Sequence, residues 1–219
     1  MKASPAIESR GQVVRVRSDL VLLLVGTVTL VLSSLAVDAH HVSGVETAVF
    51  RVVNDLPGAI YKPLWVFMQL GNLFVIPAAA LVALLARRWR FAGGLFLGGL
   101  ATYVLAKVVK RIVTRGRPFT LLTGVHIHGA AGRGLGYVSG HAGVVAALIT
   151  VAWPWLSTRA RWAVVVLGMG VWLGRMYVGA HLPLDILGGA ALGVAVGAAT
   201  RLLLGRPAQE GSDVRSAPV

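Results

Sequence analysis

Two histidines and one aspartate stand where their side chains could do chemistry. In GRMYVGAHLPLD, residues 174–185, His181 precedes Asp185 by four positions, and in YVSGHAG His141 follows Ser139 and Gly140. A four-residue separation can bring two side chains within hydrogen-bond reach on one face of a helix. A carboxylate bonded to one ring nitrogen fixes the imidazole tautomer and leaves the other nitrogen as an outward lone pair. It also stabilises the positive charge that grows as that lone pair attacks. Asp185 is the sole acidic residue between Pro57 and Gln209, so its place beside a histidine needs a reason. The competing reading is a His–Asp pair that only ties two helices together.

Seven basic residues fall in the same two stretches. Lys107, Lys110, Arg111, Arg115, Arg117 and Arg133 precede the YVSGHAG segment, and Arg175 lies just before His181. No carboxylate in the local sequence answers them. Lipid headgroups account for some of these cations; as a group they call for an anion, and phosphate is the natural counterpart of guanidinium and ammonium groups. Ser139 and Gly140 at a helix start would leave backbone N–H groups free to hold that anion, although Ser-Gly there is also an ordinary cap.

The scaffold follows from composition. Of 219 residues, 56% are hydrophobic and 13% charged, where a soluble domain carries about 25% charged residues. The apolar runs reach the roughly 20 residues that cross a bilayer. They are continuous rather than alternating, which favours helices over a closed barrel. The expected fold is all-α, a polytopic membrane helix bundle with about six transmembrane helices near 19–37, 63–86, 91–109, 140–157, 162–179 and 183–204. An interfacial amphipathic helix is expected over 43–60, a helix simply packed on the bundle being the equal alternative. There Val45, Ala48, Val49, Val52, Val53 and Leu56 recur at helical spacing, with Glu46, Arg51, Asn54 and Asp55 between them.

The chain divides into a cytoplasmic N-terminal segment 1–18, a single transmembrane domain 19–206 and a small, polar, disordered cytoplasmic tail 207–219. The first apolar run ends at Val37-Asp38-Ala39, which loosely resembles a signal cleavage site. Its apolar part exceeds a signal core and reads as a retained anchor.

Lys2, Arg10, Arg15 and Arg17, then Arg87, Arg88 and Arg90, then Arg159 and Arg161, then Arg206 and Arg215 fall on one face of this topology. The positive-inside preference makes that face cytoplasmic, with both termini there. His141, His181 and the seven cations then lie on the extracytoplasmic face of the cell membrane, against the preference. Ionisable groups at membrane helices are costly and tend to be functional, which favours catalysis over a structural His–Asp tie.

The net charge of +13 lies largely in clusters that flank apolar runs. No basic stripe with interleaved aromatics occurs, so nucleic acid is not an expected partner. The absence of cysteine excludes disulfides and thiolate metal sites. His126 and His128 have no acid beside them and read as loop residues rather than metal ligands, and His40 and His41 as interfacial residues. The sequence sets no oligomeric state.

Three segments together resemble the type 2 phosphatidic acid phosphatase family, which is related in fold and site to vanadium haloperoxidases. KRIVTRGRP matches its Lys, six residues, Arg-Pro motif through Lys110, Arg117 and Pro118. VSGH matches Pro-Ser-Gly-His, with Val138 for proline. GRMYVGAHLPLD matches Ser-Arg, five residues, His, three residues, Asp, with Gly174 for serine, then Arg175, His181 and Asp185. The resemblance runs from about residue 43 to 204, in motif order. It implies that His181 attacks phosphorus and becomes a phosphohistidine, that Asp185 orients it, and that His141 protonates the departing oxygen and then activates water. It further implies that Lys110, Arg117, Arg175 and the backbone at Ser139 and Gly140 bind the phosphoryl oxygens, with no metal and no cofactor. Gly174 removes a hydroxyl that could support this site.

The expected substrate is a lipid phosphate that enters sideways from the membrane, the helix over 43–60 forming part of the gate. Polyprenyl diphosphate is favoured over phosphatidylglycerol phosphate and phosphatidic acid. A lipid phosphotransferase using the same site, or a non-enzymatic anion-binding membrane protein, is the alternative; a vanadium-dependent oxidase is disfavoured because those relatives are usually soluble.

Overall fold

The computed structural model describes residues 13–129 and 132–207. Most of the N-terminal segment and of the tail, with Lys2, Arg10 and Arg215, lies outside the described residues. The elements are α1 (Arg17–Ala36), α2 (Gly44–Asn54), α3 (Tyr61–Gln69), α4 (Val75–Leu85), α5 (Trp89–Ile112), the single turn α6 (Pro118–Leu121), α7 (Gly140–Ala152), α8 (Thr158–Tyr177) and α9 (Pro183–Leu204). A short 3₁₀ turn at Gly58–Ile60 leads into α3, and one at Trp153–Trp155 extends α7 towards the limit expected from sequence.

The expected helix over 63–86 is two helices. The chain leaves α3 at Leu70 and re-enters a helix at Val75, through turns at 70–74. The physical reason is a close approach at Gly71, where a Cβ would lie 2.8 Å from His141 Cβ and 2.9 Å from Val171 Cγ1. The break lets the chain pass directly over the first turn of α7.

The helices α1, α5, α7 and α9 pack with little between them. Gly189, Gly193 and Gly197 on α9 press on the backbone of α7, and Gly26 on α1 meets the backbone of α9 at Ala191 and Ala195. Small residues let helix backbones approach where no water drives them together. On its other side α1 exposes Leu20, Val21, Leu24, Val25, Val28, Val31, Leu32 and Leu35, each at least half accessible. An apolar face that continuous belongs in lipid. Among the described residues Arg17–Ala36, Trp89–Ile112 and Pro183–Leu204 are long and apolar enough to cross a membrane by themselves, with shorter apolar helices beside them. The protein is a multi-pass membrane protein.

At one end of the bundle Val13–Val14 pairs antiparallel with Arg206–Pro207, so both described chain ends meet there. Asp19 of α1 forms a fully buried ion pair with Arg201 of α9 at the same end. The start of α9, the end of α5 and the start of α7 lie at the opposite end.

Helix α2 is amphipathic as expected, and the face it packs on the bundle mixes apolar Phe50 and Val53 with polar Glu46 and Asn54. Val45 and Val52 are exposed, while Glu46 and Asn54 are buried against the bundle. Asn54 donates to the carbonyls of Tyr177 (2.8 Å) and His126 (2.8 Å), and Arg51 donates to those of Gly124 and Thr123, so α2 fastens the 123–126 loop to the end of α8.

Candidate active site

The site forms where the end of α5, the loop before α7, the end of α8 and the start of α9 converge. Pro183, at the first position of α9, has no N–H to leave unsatisfied, so the chain turns abruptly from His181 into that helix. Asp185 sits on the first turn. Its Oδ2 accepts from the Leu182 N–H at 2.9 Å and lies 3.4 Å from His181 Nδ1, which has no other partner. That spacing is a contact one step wider than a formed hydrogen bond, as is common in unliganded sites. It leaves Nε2 as the nitrogen facing away from the carboxylate. His181 is 3% exposed and Asp185 fully buried.

Burial, and then the charges of Arg175, Lys110 and Arg117 with the His141 ring, hold the pKa of His181 well below the ordinary histidine value. Its neutral form therefore persists as pH falls, which keeps a lone pair on the ring. These side chains converge on one histidine.

The cations are held in place by backbone oxygens rather than by carboxylates. Lys110 Nζ donates to the carbonyls of Leu135 (2.9 Å) and Gly136 (2.7 Å). Arg117 donates to the carbonyls of Gly134 (3.0 Å), Arg133 (2.8 Å) and Ala180 (2.8 Å). Burial lowers the pKa of Arg117, partly offset by Asp185, although its guanidinium remains charged near neutrality. Carbonyl dipoles orient these groups without cancelling their charge. Arg175 is held less: its buried Nε has no partner, and no ion pair to it forms among the described residues. Arg175 lines a cavity of about 130 Å³ together with His141, His128, Tyr61, Trp65, Gln69 and Asn72. His128, expected to be an ordinary loop residue, thus reaches the cavity wall, with its ring stacked on Tyr177 at 4.1 Å.

Ser139 caps α7, its Oγ accepting from the Ala142 N–H at 3.4 Å. Its own N–H is given to the Asp185 carbonyl at 2.8 Å, which ties the start of α7 to the start of α9. The Gly140 and His141 N–H groups stay outside the intrahelical ladder. Two residues before Ser139, the fully buried Tyr137 hydroxyl meets Ser33 Oγ (2.8 Å) and Ser34 Oγ (2.9 Å) of α1. At Gly174 the space a serine would need is filled: a Cβ there would stand 2.6 Å from Met68 Cγ, so thioether packing occupies the place of the hydroxyl.

Two buried residues of the site were given no catalytic or phosphate-binding role from sequence. Arg115 NH1 donates to Asp185 Oδ1 (3.1 Å) and Glu46 Oε1 (2.9 Å), and its NH2 donates to Glu46 Oε2 (2.6 Å). Glu46 Oε1 also accepts from the Leu184 N–H at 3.0 Å. Burial opposes the charge on Arg115, but its bonds to Glu46 and the field of Asp185 outweigh that and hold its pKa above the ordinary arginine value. Asp185 therefore does not stand alone, as its isolation in sequence suggested. Among the described residues no group of three or more His, Cys, Asp or Glu side chains is placed to hold a metal ion.

The helical membrane bundle thus gathers cations, a buried His–Asp pair and a second histidine at one end. A model of the PAP2 superfamily matches residues 89–207, more than half of the chain, and the protein belongs to that superfamily: it is a phosphoric-ester hydrolase of the PAP2 lipid phosphatase class. The chain is 29% identical over 155 residues to an undecaprenyl-diphosphatase of Sulfolobus acidocaldarius, an alignment covering 68% of this chain and 74% of that protein. Its fold is similar to the crystal structure of Aquifex aeolicus LpxE, with a TM-score of 0.67, 21% identity, and 72% and 95% of the two chains covered. It is also similar to a transmembrane PAP2-type phosphatidylglycerolphosphate phosphatase of Bacillus subtilis, with a TM-score of 0.61, 20% identity, and coverage of 85% and 95%.

Proposed function

We propose that the protein hydrolyses a membrane lipid diphosphate, a polyprenyl diphosphate being the preferred substrate, through a phosphohistidine on His181. The observation that carries this reading is Arg175: a half-buried side chain whose buried Nε is unpartnered, lining one cavity with His141 and acting electrostatically on His181. A cation so placed is complete only when an anion occupies the cavity.

His181 Nε2 attacks phosphorus, the N–P bond forms as the P–O bond to the leaving group breaks, and His141 gives its proton to the departing oxygen. Asp185 accepts the hydrogen bond from Nδ1 as the ring becomes cationic. Water then attacks the phosphohistidine, His141 takes its proton, and the N–P bond breaks to release inorganic phosphate. Charge in such transition states spreads over the equatorial phosphoryl oxygens, so fixed donors supply much of the acceleration. Here those donors are Lys110, Arg117, Arg175, the Gly140 and His141 N–H groups and the Ser139 hydroxyl, and no metal or cofactor takes part.

The polyprenyl preference is supported by the name of the Sulfolobus relative and by the apolar outer face of α2 beside the site. With α1, the α3–α4 pair, α5, α7, α8 and α9 taken as six spans, the basic clusters at Arg87–Arg90 and Arg159–Arg161 favour cytoplasmic chain ends and a site on the extracytoplasmic face. A panel of polyprenyl diphosphate, phosphatidylglycerol phosphate and phosphatidic acid, assayed for phosphate release with and without chelator, tests the reading. Turnover is expected to be fastest on the diphosphate, indifferent to chelator and lost in His181→Ala. Loss in chelator overturns the metal-free mechanism, and phosphate transfer to an added acceptor in place of release makes the enzyme a phosphotransferase.

A further inference from the structure

Four charged or titratable groups run in a line from α2 to the nucleophile: Glu46, Arg115, Asp185 and His181. Glu46 and Arg115 are 6% and 1% exposed, so no solvent moderates their charges. Glu46 lies outside the segment matched by the family model, residues 89–207.

The division of bonds is uneven. Glu46 engages Arg115 with both carboxylate oxygens, at 2.6 and 2.9 Å, while Asp185 receives one bond of 3.1 Å. A guanidinium forms its strongest pair with a carboxylate in a two-bond fork. Were Glu46 absent, the same fork would be free to close on Asp185. That would cancel the charge that Asp185 must present to the imidazolium at His181, and would draw Oδ2 away from Nδ1. The converse also holds. Without Arg115, Glu46 and Asp185 would be two like charges in a dry interior, and one of them would take up a proton.

We infer that Glu46 is a positioning residue that balances the charge of Arg115, so that Asp185 stays ionised and directed at His181. The inference rests on His181 being the nucleophile. The Leu184 N–H bond to Glu46 Oε1 fixes this arrangement to the first turn of α9, the turn that carries Asp185. The dependence on charge gives a signature that a bracing role lacks.

The groups facing His181 are Asp185 from α9, Arg175 from α8, Lys110 from α5, His141 from α7, and Arg117 from the connection before α6. Of these only Asp185 is acidic, so an uncompensated Arg115 adds a further cation to the set. Glu46→Gln keeps the shape and an acceptor oxygen but removes the charge. It is expected to lower kcat by roughly 10- to 100-fold, the range for coupled members of one ionic network, with KM nearly unchanged. The acid limb of kcat/KM is expected at lower pH than in the parent. Adding Arg115→Gln to Glu46→Gln removes the unmatched cation, so the double variant should be more active than the single one and its acid limb should return towards the parent position.

Thermal unfolding in detergent accompanies each assay. If Glu46→Gln does not fold, Glu46→Asp decides: charge balance expects kcat within a few-fold of the parent and an unmoved limb, and loss of activity in the folded Asp variant overturns the inference. It is also overturned if Glu46→Gln matches the parent, or if the double variant is worse than Glu46→Gln with no shift in limb. His181→Ala, run alongside, separates the two claims. If it retains turnover, the nucleophile assignment itself fails; if it is inactive while Glu46→Gln behaves as the parent, only the charge balance fails.

Discussion

Gly71 should be essential for rate although it carries no functional group. A Cβ at this position would lie 2.8 Å from His141 Cβ, 2.9 Å from the His141 carbonyl oxygen and 2.9 Å from Val171 Cγ1. Ordinary contact begins at 3.4 Å, so Gly71→Ala overlaps by about half an ångström on three sides. Two of the three neighbours belong to the first turn of α7, which the Ser139–Asp185 hydrogen bond holds from behind. The strain should therefore move the His141 ring rather than the whole helix. Overpacking of this kind costs about 1–3 kcal/mol of stability, and a misplacement approaching 1 Å can cost about 10²-fold in rate. The assay is phosphate release from lipid diphosphate in mixed micelles, with kcat and KM resolved and unfolding followed in the same detergent. Gly93→Ala is the control, because nothing lies within 4 Å of the Cβ it would add. Gly71→Ala is expected to lose about one to two orders of magnitude in kcat with a folded protein, and Gly93→Ala to lose nothing. If Gly71→Ala keeps the parent kcat, the claim that the α3–α4 break positions His141 is refuted.

Further outcomes follow from the same geometry. Arg175→Lys keeps the charge but loses the planar fork; kcat/KM should fall by about 10- to 100-fold, the worth of a charge-assisted bond, and full activity would mean that Arg175 does not grip the phosphoryl group. Because burial and neighbouring cations depress the pKa of His181, its lone pair survives acidification through the ordinary histidine range. The acid limb of kcat/KM should then lie below the usual value of about 6.5; an acid limb at the ordinary value contradicts this electrostatic account. Tyr137→Phe removes the hydroxyl that meets Ser33 and Ser34. Loss of about 1 kcal/mol is expected, lowering Tm by about 2–4 °C, together with a lower kcat because Tyr137 leads directly into Ser139 and His141. An unchanged kcat would limit α1 to a structural role.

The parts of this site that were legible in sequence are those whose partners lie close along the chain. His181 and Asp185 share one turn, Ser139 caps the helix it precedes, and Pro183 marks the start of α9. Glu46 and Arg115 meet across 69 residues, and no local pattern announces such a pair. Their signal was at most a carboxylate on an amphipathic helix and one more arginine among several. The burial of Glu46 and Asn54 on α2 was not legible for a related reason. Amphipathic periodicity is usually read with the polar face outward, to water, whereas here the outer surroundings are lipid and the bundle interior holds the polar partners. Residues 63–86 carry no charge and are mostly apolar, so hydropathy runs across the break at 70–74 although Gln69, Gly71 and Asn72 lie at it. What divides the two helices is the contact between Gly71 and His141, which exists only in three dimensions.

The central claim is that phosphorus is transferred to His181. Rapid acid-free quenching after mixing with lipid diphosphate labelled at the terminal phosphorus, followed by peptide mapping, measures this directly. The account predicts label on His181, stable to base and lost in acid, appearing no later than free phosphate, and absent from His181→Ala. Release of phosphate at the full rate with no labelled enzyme at any time, or label on another residue, would contradict it.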